Sequence, residues 1–305
     1  MTGREELLEQ LRPQSFAIAY RMLGSVAEAE DVVQEALVRL HQALDGSEPV
    51  ASPPAYLATV TTRLAINELR SARARRERYV GEWLPEPIIT DERQDPELRA
   101  ELADSLSLAL LVVLESLSPE QRAVLILRDV FDYSYADIAR ILDKSEPGVR
   151  QLATRARRQV EAGRPRFRTT DEHRDVLARR FIEAAEWGDL AGLEAVLAAD
   201  VRLTGDGGGK VPSLARALRG RARVSRTLRA WVMQTMRIPG ASIRGAEVNG
   251  APGAVLLDGG ERLISVWSFD IAGGEIVGID AIVNPDKLRH LGPVADHEEL
   301  QRKLG

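Results

Sequence analysis

Between Ser145 and Arg158 the chain sets Arg150, Gln151, Thr154, Arg155 and Arg158 at helical spacing, opposite an apolar stripe of Val149, Leu152, Ala153, Ala156 and Val160. Guanidinium and amide groups so arranged match base edges and phosphates in a major groove, which is chemistry of recognition and breaks no bond. A merely solvated basic helix is the alternative. Arg157, Arg164, Arg166 and Arg168 prolong the positive charge, to hold phosphates or to face water. A second set, Arg63, Asn67 and Arg70 at i, i+4, i+7 with Arg73, Arg75, Arg76 and Arg78 beyond it, suits a nucleic-acid strand. Tyr20, Tyr56 and Tyr79 are candidate stacking rings, though such residues more often fill a core or its rim.

The elements that hold the first set announce themselves. Ser118, Pro119 and Gln121 fit an N-cap, a first-turn proline and a capping-box partner. Ser134 and Asp137 open a second helix over about Tyr135–Leu142, which ends at Asp143-Lys144. Ser145 caps a third, with Pro147 in the first turn, where its missing N–H is harmless. Helices joined by so short a turn predict a helix-turn-helix. Nearer the N-terminus, Val33, Ala36, Leu37 and Leu40 form one helical face while Glu28, Asp31, Gln34 and Glu35 lie opposite. Asp31 and Glu35 repel at i,i+4 by a few tenths of a kcal/mol, so the acidic stripe is either a docking face for a basic partner or a solvated surface.

The chain has 305 residues, enough for two or three domains, and its 44% hydrophobic content is ordinary for globular cores. It has no cysteine, hence no disulfide framework or thiolate metal site, which suits a reducing cytoplasm. No signal peptide and no bilayer-length apolar run is visible, and His41, His173, His290 and His297 lack ligand-like spacing, so no metal, cofactor or membrane partner is expected. The formal net charge is −5. Positive charge is local, at Arg70–Arg78 and Arg150–Arg168, which predicts weak DNA binding alone and stronger binding beside a larger partner.

Helical patterns cover residues 1–78, with breaks near Gly24-Ser25 and at Asp45–Pro54. Trp83-Leu84-Pro85-Glu86-Pro87 and the polar Asp91–Pro96 mark a linker. A second helical block covers 96–162, and Gly163 and Pro165 mark a second break. Helical patterns follow at 172–199 and 212–234, then β-like runs at 243–248, 253–258, 261–270 and 275–283 separated by glycine turns, which predicts an α+β domain with a curved antiparallel sheet.

Three stretches resemble extracytoplasmic-function sigma factors, in the family's order and spacing. AYRMLGSVAEAEDVVQEALVRL is similar to regions 2.1–2.2, PPAYLATVTTRLAINELRSARARR to regions 2.3–2.4, and LSPEQRAVLILRDVFDYSYADIARILDKSEPGVRQLATRAR, which opens at Leu117 and closes at Arg157, to region 4. The resemblance covers about half the chain. It implies two all-α domains: region 2 over residues 1–80 and a region 4 helix-turn-helix over 96–165, joined by the linker 81–95 with its WLPEP motif. It further implies a protein that binds core RNA polymerase, through its largest and second-largest subunits, and directs initiation at specific promoters. Glu28, Asp31, Gln34 and Glu35 would then dock on the clamp helices of the largest subunit. Arg63, Asn67, Arg70 and Arg73, with the loop at Asp45–Pro54, would engage the minus-ten element, where strand opening draws on tighter binding of single-stranded than of duplex DNA. Ser145, Arg150, Gln151, Thr154, Arg155 and Arg158 would read the minus-thirty-five element. Two departures, Tyr56 where relatives often have tryptophan and Pro147-Gly148 at the start of the reading helix, make promoter sequence non-transferable.

Residues 166–305, including a C-terminal tail, resemble a SnoaL-like domain of the NTF2-like superfamily, an α+β cone of helices on a bent sheet. Three segments match the SigJ-like subgroup that carries this fusion: Trp83, Leu84, Pro85, Glu86 and Pro87; Asp206, Gly207, Gly208, Gly209 and Lys210; and Asn284, Pro285, Asp286, Lys287 and Leu288. Three glycines in a row permit positive φ or close approach of a neighbour. The loop lacks the spacing of a phosphate-binding P-loop, and a contact loop facing the first two domains is expected, with a mobile hairpin tip as the alternative. The resemblance implies that the third domain regulates the factor in cis. A one-component helix-turn-helix regulator with a small-molecule ligand in its cavity, and an isomerase or cyclase fused to a DNA-binding module, remain the alternatives. The SnoaL resemblance implies for the latter a carboxylate general base in an apolar pocket, with Asp206, Asp280 and Glu247 as candidates, although no Asp–His pair accompanies them.

Overall fold

The computed structural model describes residues 3–46, 49–76, 79–90, 107–163 and 171–304, with side chains except at 72–76, 162–163, 171–172, 301 and 303–304. The chain forms two compact units, Met1–Arg78 with Leu111–Arg164 and Tyr79–Leu110 with Pro165–Gly305. Each is built around its own apolar interior.

In the first unit, α1 (Gly3–Leu23), α2 (Val26–Asp45) and α3 (Pro53–Arg76) pack on one another. Gly24 ends α1 in the left-handed region, at φ 66°, and Ser25 caps α2 by accepting from the Glu28 amide at 3.3 Å. Ile18, Tyr20, Met22, Leu23, Val33 and Leu40 are fully buried, so Tyr20 is a core ring, and Tyr56 packs against the small cluster of Leu11, Ala36, Leu40 and Leu57. Inside the bundle the Ser15 and Thr61 hydroxyls satisfy each other at 2.7 Å.

The same unit contains α4 (Leu108–Leu114, whose first residues group with the second unit), α5 (Pro119–Asp129), α6 (Tyr135–Leu142) and α7 (Glu146–Gly163). Ser118 and Gln121 form the expected reciprocal capping box, at 3.2 and 2.9 Å. Ser134 caps α6 by accepting from the Asp137 amide at 3.1 Å. Asp143 makes the turn to α7 in the left-handed region at φ 53°, a conformation aspartate tolerates. Ser145 accepts from the Gly148 amide at 3.3 Å, and a Cβ at Gly148 would lie 3.1 Å from that hydroxyl, so the unusual glycine fits its cap. Ala123, Val124, Ile126, Leu127, Ile138 and Val149 fill the space between the three helices.

One arginine ties the two helical blocks together. Arg122 is 2% exposed; its Nε donates to the Leu114 carbonyl at 3.0 Å, and its other nitrogens bond the Met22 carbonyl and the Glu115 carboxylate.

In the second unit, α8 (Asp171–Glu186), α9 (Leu190–Val196) and α10 (Arg221–Thr235) lie against a seven-stranded sheet. Its strands are β1 (Ile89–Thr90), β2 (Leu197–Asp206), β3 (Leu218–Arg219), β4 (Ser242–Val248), β5 (Ala251–Leu257), β6 (Leu263–Ala272) and β7 (Glu275–Ile282), in the order β1-β4-β5-β6-β7-β2-β3. Only β2 and β7 run parallel among these pairs. Irregularities in register between Leu197 and Arg202, at Leu256/Leu257 and at Asp270/Ile271 are the devices that bend such sheets. Phe181, Leu193, Leu228, Trp267, Phe269 and Ile279 form the heart of the core between helices and sheet. The predicted α+β texture is present, with two differences. Residues 197–199 begin a strand instead of ending a helix: the alanine-rich sequence favours helix locally, and pairing with β7 overrides it. The helix expected from 212 starts at Arg221, after a short edge strand.

Replacing Arg122 by alanine leaves buried carbonyls without a donor and should cost the first unit about 3 kcal/mol. Denaturant unfolding of the full chain followed by a probe in residues 3–76 would show it as a lowered midpoint; an unchanged midpoint contradicts the role given to this side chain.

Candidate functional site

Helix α7 presents Arg150, Gln151, Thr154, Arg155 and Arg158 to solvent, with Ser145 exposed at its cap, while Val149, Ala153, Ala156 and Val160 are buried, as the spacing predicts. Arg150 is steadied by Glu146, at 3.2 Å from its Nε, and by the Tyr135 ring, whose centre lies 4.4 Å from its guanidinium carbon. Arg157 has a different task. It pairs with Asp129 and donates to the Tyr135 hydroxyl at 3.4 Å, stapling α7 to α5 and α6. Arg164, Arg166 and Arg168 lie outside the described residues.

On α3, Arg63, Asn67 and Arg70 lie along one face, both arginines exposed; the side chains of Arg73, Arg75, Arg76 and Arg78 lie outside those described. Arg63 donates to the Ile141 carbonyl at 2.8 Å and the Arg140 carbonyl at 3.2 Å, at the C-terminal end of α6, where carbonyls lack helical partners and the dipole is negative. Arg70 meets the Glu120 carboxylate at 2.6 Å. Burial is the largest influence on Glu120 and opposes its ionisation, but the Arg70 hydrogen bond and charge, a backbone amide and the Lys144 charge together outweigh it and hold that carboxyl below its ordinary value. Arg63 and Arg70 are therefore both engaged by the helix-turn-helix block.

On α2, Asp31, Gln34 and Glu35 are exposed and Glu28 is half-buried. Arg39 accompanies Glu35 at 2.8 Å, offsetting part of the Asp31–Glu35 repulsion.

The three segments flagged in the linker and the third domain meet one another. Asp206, fully buried at the end of β2, accepts from the Leu84 amide at 2.8 Å, the Gly208 amide at 3.1 Å, the Lys287 ammonium at 2.7 Å and the Tyr79 hydroxyl. Lys287 also donates to the Leu84 carbonyl and lies 4.2 Å from the Trp83 ring centre and 5.0 Å from that of Tyr79. Burial, reinforced by the bond to the Asp206 carboxylate, pushes the Tyr79 phenol well above its ordinary value, which keeps it a donor. Asn284 closes the ring at 2.9 Å from that hydroxyl, and Lys210 pairs with Asp286. The glycines behave as their type demands: at Gly208, φ 59°, a Cβ would lie 2.2 Å from Asn284 Nδ2, and at Gly209 one would lie 3.0 Å from Val80. Further along, His290 meets the Pro87 carbonyl at 2.7 Å. Ile89 and Thr90 pair with Val248 and Glu247 as an edge strand, and Asn249 exchanges bonds with Ile88 at 2.7 and 2.9 Å.

Family profiles match at two places, Sigma-70 region 2 over residues 7–75 and Sigma-70 region 4 over 107–160. The chain is 38% identical over 294 residues to the ECF RNA polymerase sigma factor SigJ of Mycobacterium tuberculosis, covering 92% of this chain and 91% of that one. The chain belongs to the extracytoplasmic-function sigma factors. It is also 34% identical over 274 residues to the probable sigma factor SigI of the same organism, covering 89% and 90%. The crystal structure of SigJ superposes with a TM-score of 0.76 at 36% identity, covering 95% of this chain and 99% of that one. As a sigma factor, the protein directs promoter-dependent initiation by RNA polymerase, and its helical sigma regions precede an α+β domain.

Several residues of this sigma factor that organise its sites carry no motif. Glu120 and the α6 carbonyls that hold Arg70 and Arg63 have no signal in a single sequence. Tyr79 was legible only as a candidate ring, and the β1 pairing was not legible, since Ile89 and Thr90 fall in the stretch read as linker. Of the candidate bases, Asp206 is occupied by four donors. Asp280 lies 3.2 Å from Arg202, and its burial drives the carboxyl upward against that charge. Glu247 stands on β4 opposite Thr90.

Asp206→Asn leaves the Lys287 ammonium buried without its counter-charge and should cost about 3–5 kcal/mol of the second unit's stability. Tyr79→Phe, which removes one hydroxyl, should cost about 1 kcal/mol. Chemical denaturation of the full chain, with proteolytic cleavage within 79–90 as the local readout, checks the order; equal losses contradict the central place of Asp206.

Proposed function

We propose that the SnoaL-like domain regulates this sigma factor in cis by holding the segment between its two DNA-binding domains. The observation that carries this reading is the Asp206–Lys287 pair, whose remaining bonding capacity is taken up by Tyr79 and Leu84 of that segment. In this reading Glu28, Asp31, Gln34 and Glu35 dock on the largest polymerase subunit. Arg63, Asn67, Arg70 and Arg73 bind the minus-ten strand, and the exposed face of α7 reads the minus-thirty-five element. The protein works in the cytoplasm and is not an enzyme: its best-placed carboxylate, Asp206, is spent on structure. Residues 1–80, 81–95, 96–165 and 166–305 act as region 2, linker, region 4 and regulator.

The free chain also restrains itself. Elements named for positions −10 and −35 lie about 25 base pairs apart, on the order of 85 Å along a duplex at about 3.4 Å per pair. Direct bonds from Arg63 to α6 and from Arg70 to α5 cannot persist while both elements are bound. Promoter engagement therefore requires these ties to break, freeing the same guanidinium groups for DNA. Because the Glu120 carboxyl is held low, its tie is complete at neutral pH and is lost only as pH falls through that lowered value.

One feature favours a small-molecule occupant of the third domain as a second reading. Trp267 Nε1 is buried beside Phe181 and Phe269 and has no hydrogen-bond acceptor among the described residues. A largely apolar molecule bearing one acceptor oxygen would satisfy it.

Reconstitution with core polymerase on a panel of promoters tests the main reading. Asp206→Asn and a chain ending at residue 169 should both bind core, and both should differ from the intact factor in open-complex yield; identical yields would remove the regulator. Glu120→Gln, which loosens a partly exposed pair worth no more than about 1 kcal/mol, should speed assembly with core up to about fivefold. A rate equal to that of the intact chain would remove the self-restraint.

A further inference from the structure

From Gly207 to Ala246 the chain contains nine lysines and arginines and no aspartate or glutamate, although the whole protein carries a formal charge of −5. The structure gathers much of this excess on α10 and the turn that follows it. Arg223, Arg226, Arg229 and Arg237 are exposed, and none has an acidic partner within 4 Å among the described residues, whereas Arg221 and Arg244 pair with Glu275 and Glu261. Positions 223, 226, 230 and 233 fall on one helical stripe, and Arg237 follows just past its end. Met233 lies in that stripe at 42% exposure, and the turn carrying Trp187, 83% exposed, packs on it: a Cβ at Gly188 would come within 2.8 Å of the Met233 sulfur, and Arg229 Nε donates to the Gly188 carbonyl at 3.0 Å.

Helix stability does not ask for this pattern. Arg221 and Arg223 sit in the first turn, where cations oppose the macrodipole, Gly220 supplies no side-chain cap, and Arg223, Arg226 and Arg229 repel at i,i+3. The 15-residue helix presents the row over about 22 Å, the length of about six base pairs.

We propose that this face of the SnoaL-like domain grips duplex promoter DNA by its phosphates, without reading sequence. The inference rests on the sigma-factor reading, which brings a polyanion to the protein. Guanidinium groups bind phosphate through paired N–H donors. Their spread along a line, with apolar side chains at one end only, fits a regular phosphate backbone better than an acidic protein patch, whose centre would be apolar.

Apart from the bond from Arg226 to the Ala222 carbonyl in the same helix, the side chains of Arg223, Arg226 and Arg237 make no hydrogen bond or ion pair among the described residues, so their glutamine variants should fold as the parent does. The test uses holoenzyme made with the full chain and measures promoter binding across a range of salt. Triple substitution to glutamine should flatten the slope of log K against log salt by about 2–3, and Arg226→Gln alone by about 1. Slopes equal to the parent's overturn the proposal. So does weakened binding of the triple variant to core polymerase without DNA, which would assign the face to an acidic protein surface. Failure of the parent holoenzyme to open any promoter would instead strike the sigma-factor reading itself.

Discussion

A carboxylate and an ammonium group, both removed from water, set the terms for the second unit. A buried ion pair seldom stabilises more than apolar side chains of the same volume, because desolvation offsets much of the attraction. What it provides is a demand for particular partners. Asp206 and Lys287 satisfy each other only in part; Asp206 also accepts from the Gly208 amide of its own loop, and the bonds the pair makes outside its domain's own loops go to the main chain at Leu84 and the hydroxyl of Tyr79. An apolar patch would accept a shifted linker at small cost; this pair accepts one register. The close approaches at Gly208 and Gly209 follow from it, since side chains there would hold Asn284 and Val80 away from the ring.

The first unit uses the same kind of group in two ways, and the surroundings decide which. Arg122 and Arg157 are structural: one is buried among carbonyls, the other is locked to Asp129 and Tyr135. Arg155 and Arg158 face water. Arg63 and Arg70 lie between these cases, exposed yet bonded.

The helix-turn-helix was legible because its signals are local: Ser118, Ser134 and Ser145 each accept from an amide three residues ahead, and the apolar spacing of α7 is strict. The split of α7 into an exposed polar face and a buried apolar one was legible for the same reason. Strand β2 was not, because the residues from Ala195 to Ala199 favour helix and only pairing with β7, far along the chain, overrides them. The linker's course was half legible. WLPEP, DGGGK and NPDKL were visible as motifs, but that they close on each other depends on contacts across 81 to 205 residues of sequence, which no spacing rule encodes. Glu120 was illegible as a partner of Arg70 for the same reason.

The two sets of ties differ enough in strength to predict the order in which they yield. The Arg70–Glu120 pair is partly solvated and worth about 1 kcal/mol or less, and the two bonds from the solvent-exposed Arg63 to carbonyls contribute about 0.5–1.5 kcal/mol each. The linker clasp combines a buried charge pair, two main-chain bonds at Leu84, the addition of Ile88–Thr90 to the sheet edge and the His290–Pro87 contact. Breaking its ion pair alone costs about 3–5 kcal/mol. When core polymerase and promoter draw regions 2 and 4 apart, the surface ties give way first and residues 79–90 stay with the third domain. In the proposed reading the third domain then enters the initiation complex still attached to the chain between regions 2 and 4, and anything that loosens Asp206 or Lys287 changes how freely that chain can extend.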